Sequence, residues 1–337
     1  MILTLLLALT AFINADTECP IVASVSDRRT NKNTFRLVQY NVEWLFIDYY
    51  SSANCPGNGC TWKTETDAKT HLSYVTNVLN ELNPDLVNFC EVEGCDELNM
   101  VINGSTIYKP YLKKGTDTST GQNVGMITKV DPLINLYRTE TKVSYPIAGS
   151  KCGYTGSPST SGVSKHYITE YKFGDLKTAF IAAHLIAYPT DPSRCAQREA
   201  QAQVLQYVIY DYFLKGYEII LLGDMNDFDA EVLDVNSDKP ISKVLDILKG
   251  LDGEYKGKYT LTNVASRIVQ NERFSDWWDS DNNCETSSQK DYSMIDHILV
   301  TSKINSKIIN AFIYHEYREY CGKWNSDHYP VVIDFAF

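Results

Sequence analysis

The stretch Glu218–Asp227, EIILLGDMND, decides how the rest of the chain is read. Its apolar residues, Ile219 to Leu222, form a run too short for a helix and suited to a strand buried on both faces. Gly223 is expected to end that strand. Asp224 and Asn226 follow two apart, so an extended backbone would present both side chains on one side. A carboxylate and an amide at the carboxyl end of a buried strand lie where α/β sheets build their sites. A strand closed by a polar turn is the better explanation of this stretch taken alone. The balance shifts because other segments repeat the design.

Working outward, the spacing predicts a helix over Cys195–Lys215, with Val204, Leu205, Val208 and Ile209 on its apolar side and Gly216 as its stop. Before it, Ala179 to Ala183 reads as a buried strand that delivers His184. Phe35 to Gln39 is a strand leading to Asn41 and Glu43, which project together if the backbone stays extended. Lys69 to Leu82 has helical spacing closed by Asn83-Pro84, and Asp85 to Cys90 is a strand that ends in Glu91. Asn123–Thr128 and His166–Phe173 read as further strands, and the Gly/Ser/Thr/Pro-rich segment Ser144–Ser164 between them as an exposed loop. Beyond Asp227, Ser237 or Asp238 can cap a third helix. Pro240 suits its first turn, Ile241, Val244, Leu245 and Leu248 form its stripe, and Gly250 stops it. Ser293–Thr301 places Asp296 at the start of a strand, and Asn325–Phe337 places Asp327 and His328 just before the last one. A buried Asp beside a His orients an imidazole and supports its charged form.

The 337 residues are 44% apolar and carry no repeat or Pro/Gly-rich linker, which favours one domain over residues 16–337. A net charge of −11 argues against holding nucleic acid by bulk electrostatics alone, yet suits a site that recruits divalent cations. Met1–Ala15 reads as a secretory signal, shorter than the roughly 20 residues of a spanning helix. The expectation is a secreted or lumenal monomer with no transmembrane anchor. Nine cysteines fit an oxidising compartment. Cys90, in an apolar run, is expected to remain a thiol; Cys55–Cys60, Cys152–Cys195 and Cys284–Cys321 are candidate pairs. Asn103-Gly104-Ser105 is a glycosylation acceptor. Asp276, Asp279 and Asp281 lack the Gly and closing Glu of a calcium loop and read as a solvated acidic segment.

YNVEWLF, LVNFCEVE, AAHL, LLGDMND, SMIDHILV and NSDHYPV resemble, in that order, motifs of the endonuclease/exonuclease/phosphatase superfamily. The resemblance spans Phe35 to Phe337. It implies a DNase I-like fold, a four-layer α/β sandwich of two packed mixed β-sheets flanked by helices. It also implies a phosphoric ester hydrolase using Mg²⁺, with Mn²⁺ or Ca²⁺ as substitutes. Glu91 would be the principal metal ligand, with Asn41 and Asp327 at the metal end. Asp224 would accept the proton of the attacking water, and Asn226 would orient water and phosphate. His184 would contact the phosphate or assist the leaving oxygen, and His328, oriented by Asp296, would hydrogen-bond the scissile phosphate.

Glu93 stands where such nucleases often carry an arginine. Gln122 or Asn123 stands where the first histidine's carboxylate partner is expected, and Lys165-His166 replaces an arginine-bearing phosphate contact. These departures leave the chemistry in place and bear on the substrate. Nucleic acid is the leading substrate, and a phospholipid such as sphingomyelin, or an inositol phosphate, is the alternative. Aromatics in RFSDWW (Arg273–Trp278) could stack on bases, meet a lipid surface or simply pack. A binding protein that has lost catalysis ranks last, because none of the expected residues is missing.

Overall fold

A computed structural model of the protein describes residues 18–19, 21–47, 60–279, 291–317 and 325–337. The first half runs β1 (Thr34–Leu45), α1 (Glu65–Leu82), β2 (Leu86–Val92), α2 (Cys95–Ile102), β3 (Lys109–Leu112), β4 (Asn123–Thr128), β5 (Val143–Tyr145) and β6 (Ser159–Ser161). Then follow β7 (Lys165–Phe173), β8 (Leu176–His184), α3 (Pro192–Leu214), β9 (Glu218–Asp224), α4 (Val244–Lys249) and β10 (Thr262–Asn263). The last elements are β11 (Asp276–Trp277), β12 (Tyr292–Ser293), β13 (Asp296–Val300), α5 (Ser302–Asn305), β14 (Ile308–Ile313) and β15 (Val331–Ala336).

One mixed sheet has the order β14-β15-β1-β2-β4-β3 and the other β10-β13-β9-β8-β7. The period of two along each strand sorts the core into layers. Leu37, Leu86 and Met126 from the first sheet meet Phe180, Ile220 and Leu222 from the second between the sheets. Their chain neighbours face outward: Val38, Val87 and Ile127 pack with Val75 and Leu79 of α1, whereas Ile181 and Leu221 pack with Leu205 of α3 and Leu248 of α4. Helix, sheet, sheet and helix give the four layers expected from the sequence.

Strand direction brings the polar ends together. β1 and β2 are parallel, as are β8 and β9, so each pair ends on the same side. β15 runs antiparallel to β1, and β13 antiparallel to β9, so their first residues lie beside those ends: Val331 opposite Gln39, Asp296 opposite Asp224. The faces turned to the other sheet change along the strand accordingly, from Phe35 and Leu37 to Gln39 and Asn41, and from Ile220 and Leu222 to Asp224.

Several expectations need correction. The opening strand runs through Gly223 to Asp224, because Gly223 adopts φ +146°, where an added Cβ would lie 1.7 Å from the Ala183 carbonyl oxygen. The backbone after Asn41 does not stay extended: Glu43 and Trp44 have φ 49° and 53°, at an irregularity in the β1–β2 register. Asn226 likewise sits at φ 48°, its N–H donating to Asp224 Oδ1 at 2.8 Å, so the two side chains converge through a turn. Helix α1 starts earlier than expected, at Glu65, because Thr64 caps Asp67 N–H. Helix α4 starts only at Val244. The preceding turn is taken by Asp234, whose Oδ1 accepts the N–H groups of Asn236 and Asp238. Helix α2 was not anticipated.

The segment Ser144–Ser164 is less open than its composition suggests. β5 pairs with β6, and Cys152 is buried in a disulfide to Cys195 of α3. Cys19 pairs with Cys95, an unforeseen bridge, and Cys90 is a buried free thiol as expected. Cys60 is disulfide-bonded. Cys55, Cys284, Cys321 and Met1–Ala15 lie outside the described residues. Among the described residues no helix is long and apolar enough to cross a membrane.

Candidate active site

The strand ends open into a cleft of about 560 Å³ whose lining includes Glu43, Glu91, His184, Asp224, Asn226, Asp276, Asp327 and His328. Asn41, fully buried, links its parts. Its Nδ2 lies 3.2 Å from Glu91 Oε1, 3.0 Å from Asp224 Oδ2 and 3.3 Å from His328 Nε2. The amide oxygen faces the backbone, accepting from Glu43 N at 3.1 Å. Asn41 thus presents its amide nitrogen to the cleft, donating to Glu91 and Asp224, with His328 Nε2 beside it. Glu91, in a left-handed backbone at φ 66°, accepts from Trp44 N through its second oxygen at 3.1 Å.

His328 is fixed through its other ring nitrogen. Nδ1 lies 2.7 Å from Asp296 Oδ2, and Asp296 in turn accepts from Gln39 Nε2 and Ser275 Oγ, each at 3.0 Å. Behind Gln39 the chain continues: Asn88 Nδ2 donates to its amide oxygen at 2.6 Å, and Tyr167 OH donates to Asn88 Oδ1 at 2.8 Å. With its acceptors filled, Asp296 is held in place and in turn holds the ring. Burial alone would depress the imidazole, yet Asp296 and Asp327 raise its pKa well above the usual value. His184 behaves oppositely. Burial, Lys165 Nζ at 3.4 Å and the charge of His328 hold its pKa well below the ordinary value.

The carboxylates crowd one another. Burial and the charge of Asp296 push Asp224 up to about 8. Burial and neighbouring acids push Asp327 up to about 7 and Asp276 up to about 6. Ligand atoms of Asp276, Asp327 and His328 lie within 4.8 Å of one another. Asp327 Oδ1 is shielded from solvent and accepts no hydrogen bond among the described residues. Hard oxygen donors packed this closely, one of them unbonded, fit a divalent cation such as Mg²⁺.

Of the sequence-predicted residues, Asn41, Glu91, His184, Asp224, Asn226, Asp296, Asp327 and His328 gather at this one cleft. Lys165 stands behind it, 3.0 Å from Gln122 Oε1, opposite His184 in the β7–β8 register. His166 is not beside it: alternation turns this ring away, to accept Thr139 N–H at 2.9 Å. Glu93 is a buried structural group that accepts Ile47 N–H, and Asn123 Oδ1 accepts Gly115 N–H, leaving Gln122 as the amide near the site. Asn226 directs Nδ2 to the Leu185 carbonyl at 3.2 Å.

Asp276 overturns its expected place in a solvated loop. It is buried, accepts from Ser293 Oγ, and brings Oδ1 to 3.5 Å from His328 Nε2. The bridge between Asp276 and His328 explains this, since it pulls the short β11–β12 ribbon against the start of β15. Asp281 lies outside the described residues. Gln39 and Asn88 were missed as well. Their signal was present, as polar residues at inward positions of otherwise apolar strands.

No family model and no curated protein matches the chain. Solved structures do. The 3'-5' exonuclease from Neisseria meningitidis is similar over 90% of this chain and 100% of its own, with TM-score 0.57 and 16% identity. A 3' phosphatase from Neisseria bound to a product DNA hairpin covers the same shares, with TM-score 0.55 and 15% identity. An AP endonuclease from Archaeoglobus fulgidus matches over 89% of this chain and 99% of its own, with TM-score 0.52 and 12% identity. The architecture is therefore the DNase I-like fold.

Proposed function

We propose that this protein is a secreted or lumenal Mg²⁺-dependent phosphodiesterase that hydrolyses nucleic acid. One observation carries the reading: Glu91, Asp224 and His328, far apart in sequence, are tied to the single amide of Asn41 within 3.3 Å. The two described disulfides support an oxidising compartment.

Glu91 and Asp327 would hold the ion, with Asn41 beside them and Asp276 as a further donor. The bound ion supplies charge neutralisation and polarisation at a phosphate oxygen. Asp224 accepts the proton of the attacking water; its raised basicity suits that task, and Asn41 Nδ2 and Asn226 N–H fix its two oxygens. Charged His328 donates Nε2–H to the phosphate as negative charge grows there, while Asp296 holds the ring. His184 contacts the phosphate or the leaving oxygen from the Lys165 side.

The test offers the purified protein supercoiled DNA, RNA, sphingomyelin and inositol phosphates with Mg²⁺ and then with chelator. Nicked DNA or shortened RNA, lost on chelation, is the expected result. Release of phosphocholine or inorganic phosphate alone would move the function to the alternative substrates. Inactivity towards all four, together with a melting temperature that Mg²⁺ does not raise, would leave a binding protein.

A further inference from the structure

We propose that Tyr188 and Trp278 form a base-stacking platform that makes the cleft selective for single-stranded nucleic acid; this rests on the phosphodiesterase reading above. Both side chains line the cleft and both are largely exposed, 63% for Tyr188 and 64% for Trp278. Neither ring stacks on another aromatic among the described residues, and neither belongs to a core cluster. Two exposed rings lining one cleft present apolar surface that a ligand can cover.

The backbone beneath each ring is fixed. Arg198, fully buried, donates to the carbonyls of Ile186, Ala187, Tyr188 and Pro189 at 2.8–3.2 Å and to Asp227 Oδ2 at 3.0 Å. That brace holds Tyr188 at φ 70°, a conformation a tyrosine adopts only under constraint, and the ring is delivered outward. Trp278 follows β11, its N–H bonded to the Asp291 carbonyl at 2.9 Å. Rigid aromatics lose little entropy when a base stacks on them.

Charge selects which nucleic acid can use them. Seven carboxylates line the cleft, and no Lys or Arg is among its described lining residues. Duplex binding depends on neutralising several phosphates along both strands, and the described cleft lining offers no Lys or Arg for that. The metal and histidines can serve one phosphodiester, so the remaining affinity has to come from bases. Paired bases are already stacked inside the helix; unpaired bases expose the faces these rings accept.

The experiment compares kcat and KM for a single-stranded oligonucleotide and its duplex, with bis(4-nitrophenyl) phosphate as a substrate without bases. The wild type should favour the single strand through KM. Trp278→Ala and Tyr188→Ala should each raise that KM about 5- to 100-fold, with Trp278→Phe largely restoring it. Single-strand KM should change less than about threefold between 50 and 200 mM salt, where six phosphate contacts would cost about 10³-fold. Equal or better duplex cleavage, unchanged KM in both variants, or a Trp278→Ala loss confined to sphingomyelin vesicles overturns the proposal. Wild-type turnover of the chromogenic diester in those cases leaves the phosphodiesterase reading standing; its absence with every diester removes both.

Discussion

His184 and His328 are both buried imidazoles at strand termini in one cleft, yet their proton affinities are driven in opposite directions. Burial disfavours the charged form of each, so it cannot account for the difference. What differs is the second nitrogen. His328 Nδ1 has Asp296 at 2.7 Å, whereas His184 Nδ1 is buried with no hydrogen-bond partner among the described residues. On the Nε2 side, His184 meets a lysine as well as carboxylates, while His328 meets Asp276 and Asp327. One cleft thereby holds a ring driven towards its charged form and a ring driven towards its neutral form, a division suited to the acid–base chemistry proposed above.

Removing the cationic member should have the largest effect. His328→Ala is expected to lower kcat by about 10³-fold while the protein remains folded by circular dichroism. Near-wild-type turnover would remove His328 from the reaction. Asp296→Asn asks whether the carboxylate alone separates the two rings. The amide preserves most of the packing but not the charge, so burial should then dominate His328 as it does His184. Histidine ¹⁵N spectra should show His328 losing its proton at lower pH, and kcat should fall about 10²-fold. Lys165→Met approaches the contrast from the other side. His184 should become easier to protonate, though burial still opposes it, with an activity change of about 10-fold. A His184 spectrum indifferent to this substitution would show that the lysine has no part in holding the ring neutral.

How much of this was legible in the sequence depended on whether a residue's role followed from its own strand. The buried runs AFIAA and EIILL announced their strands, and the polar residue after each marked a site position. Alternation along β1 carried Asn41 to the inner face. Asp276 was illegible because its burial comes from a two-residue ribbon drawn against His328, a contact between segments 52 residues apart that no local pattern encodes. The same limit hid Arg198. In a helix it looks like an ordinary solvated cation, and only the fold reveals that it gathers four carbonyls and Asp227. The turns at Glu43 and Asn226 escaped notice because neither residue is glycine, the usual sign of positive φ.

His166 provides the smallest effect and the cleanest control, since it is an imidazole next in sequence to Lys165 but outside the cleft. Burial, then the nearby Arg138 charge, lowers its pKa to about 3 from 6.5. Its Nε2 accepts Thr139 N–H, a bond that requires the neutral ring. Between those two values the unfolded chain holds a proton that the folded chain does not. Stability should therefore fall as pH drops from about 6.5 towards about 3, with His166 contributing up to about 1.4 kcal/mol per pH unit. His166→Gln supplies an uncharged acceptor for the same N–H. Urea unfolding at several pH values should give the variant a shallower acid decline than the wild type, with little change in activity at neutral pH. Parallel declines would mean that the buried ring is not the one resisting its proton, and the distinction between histidines that bond a carboxylate and those that do not would lose its control.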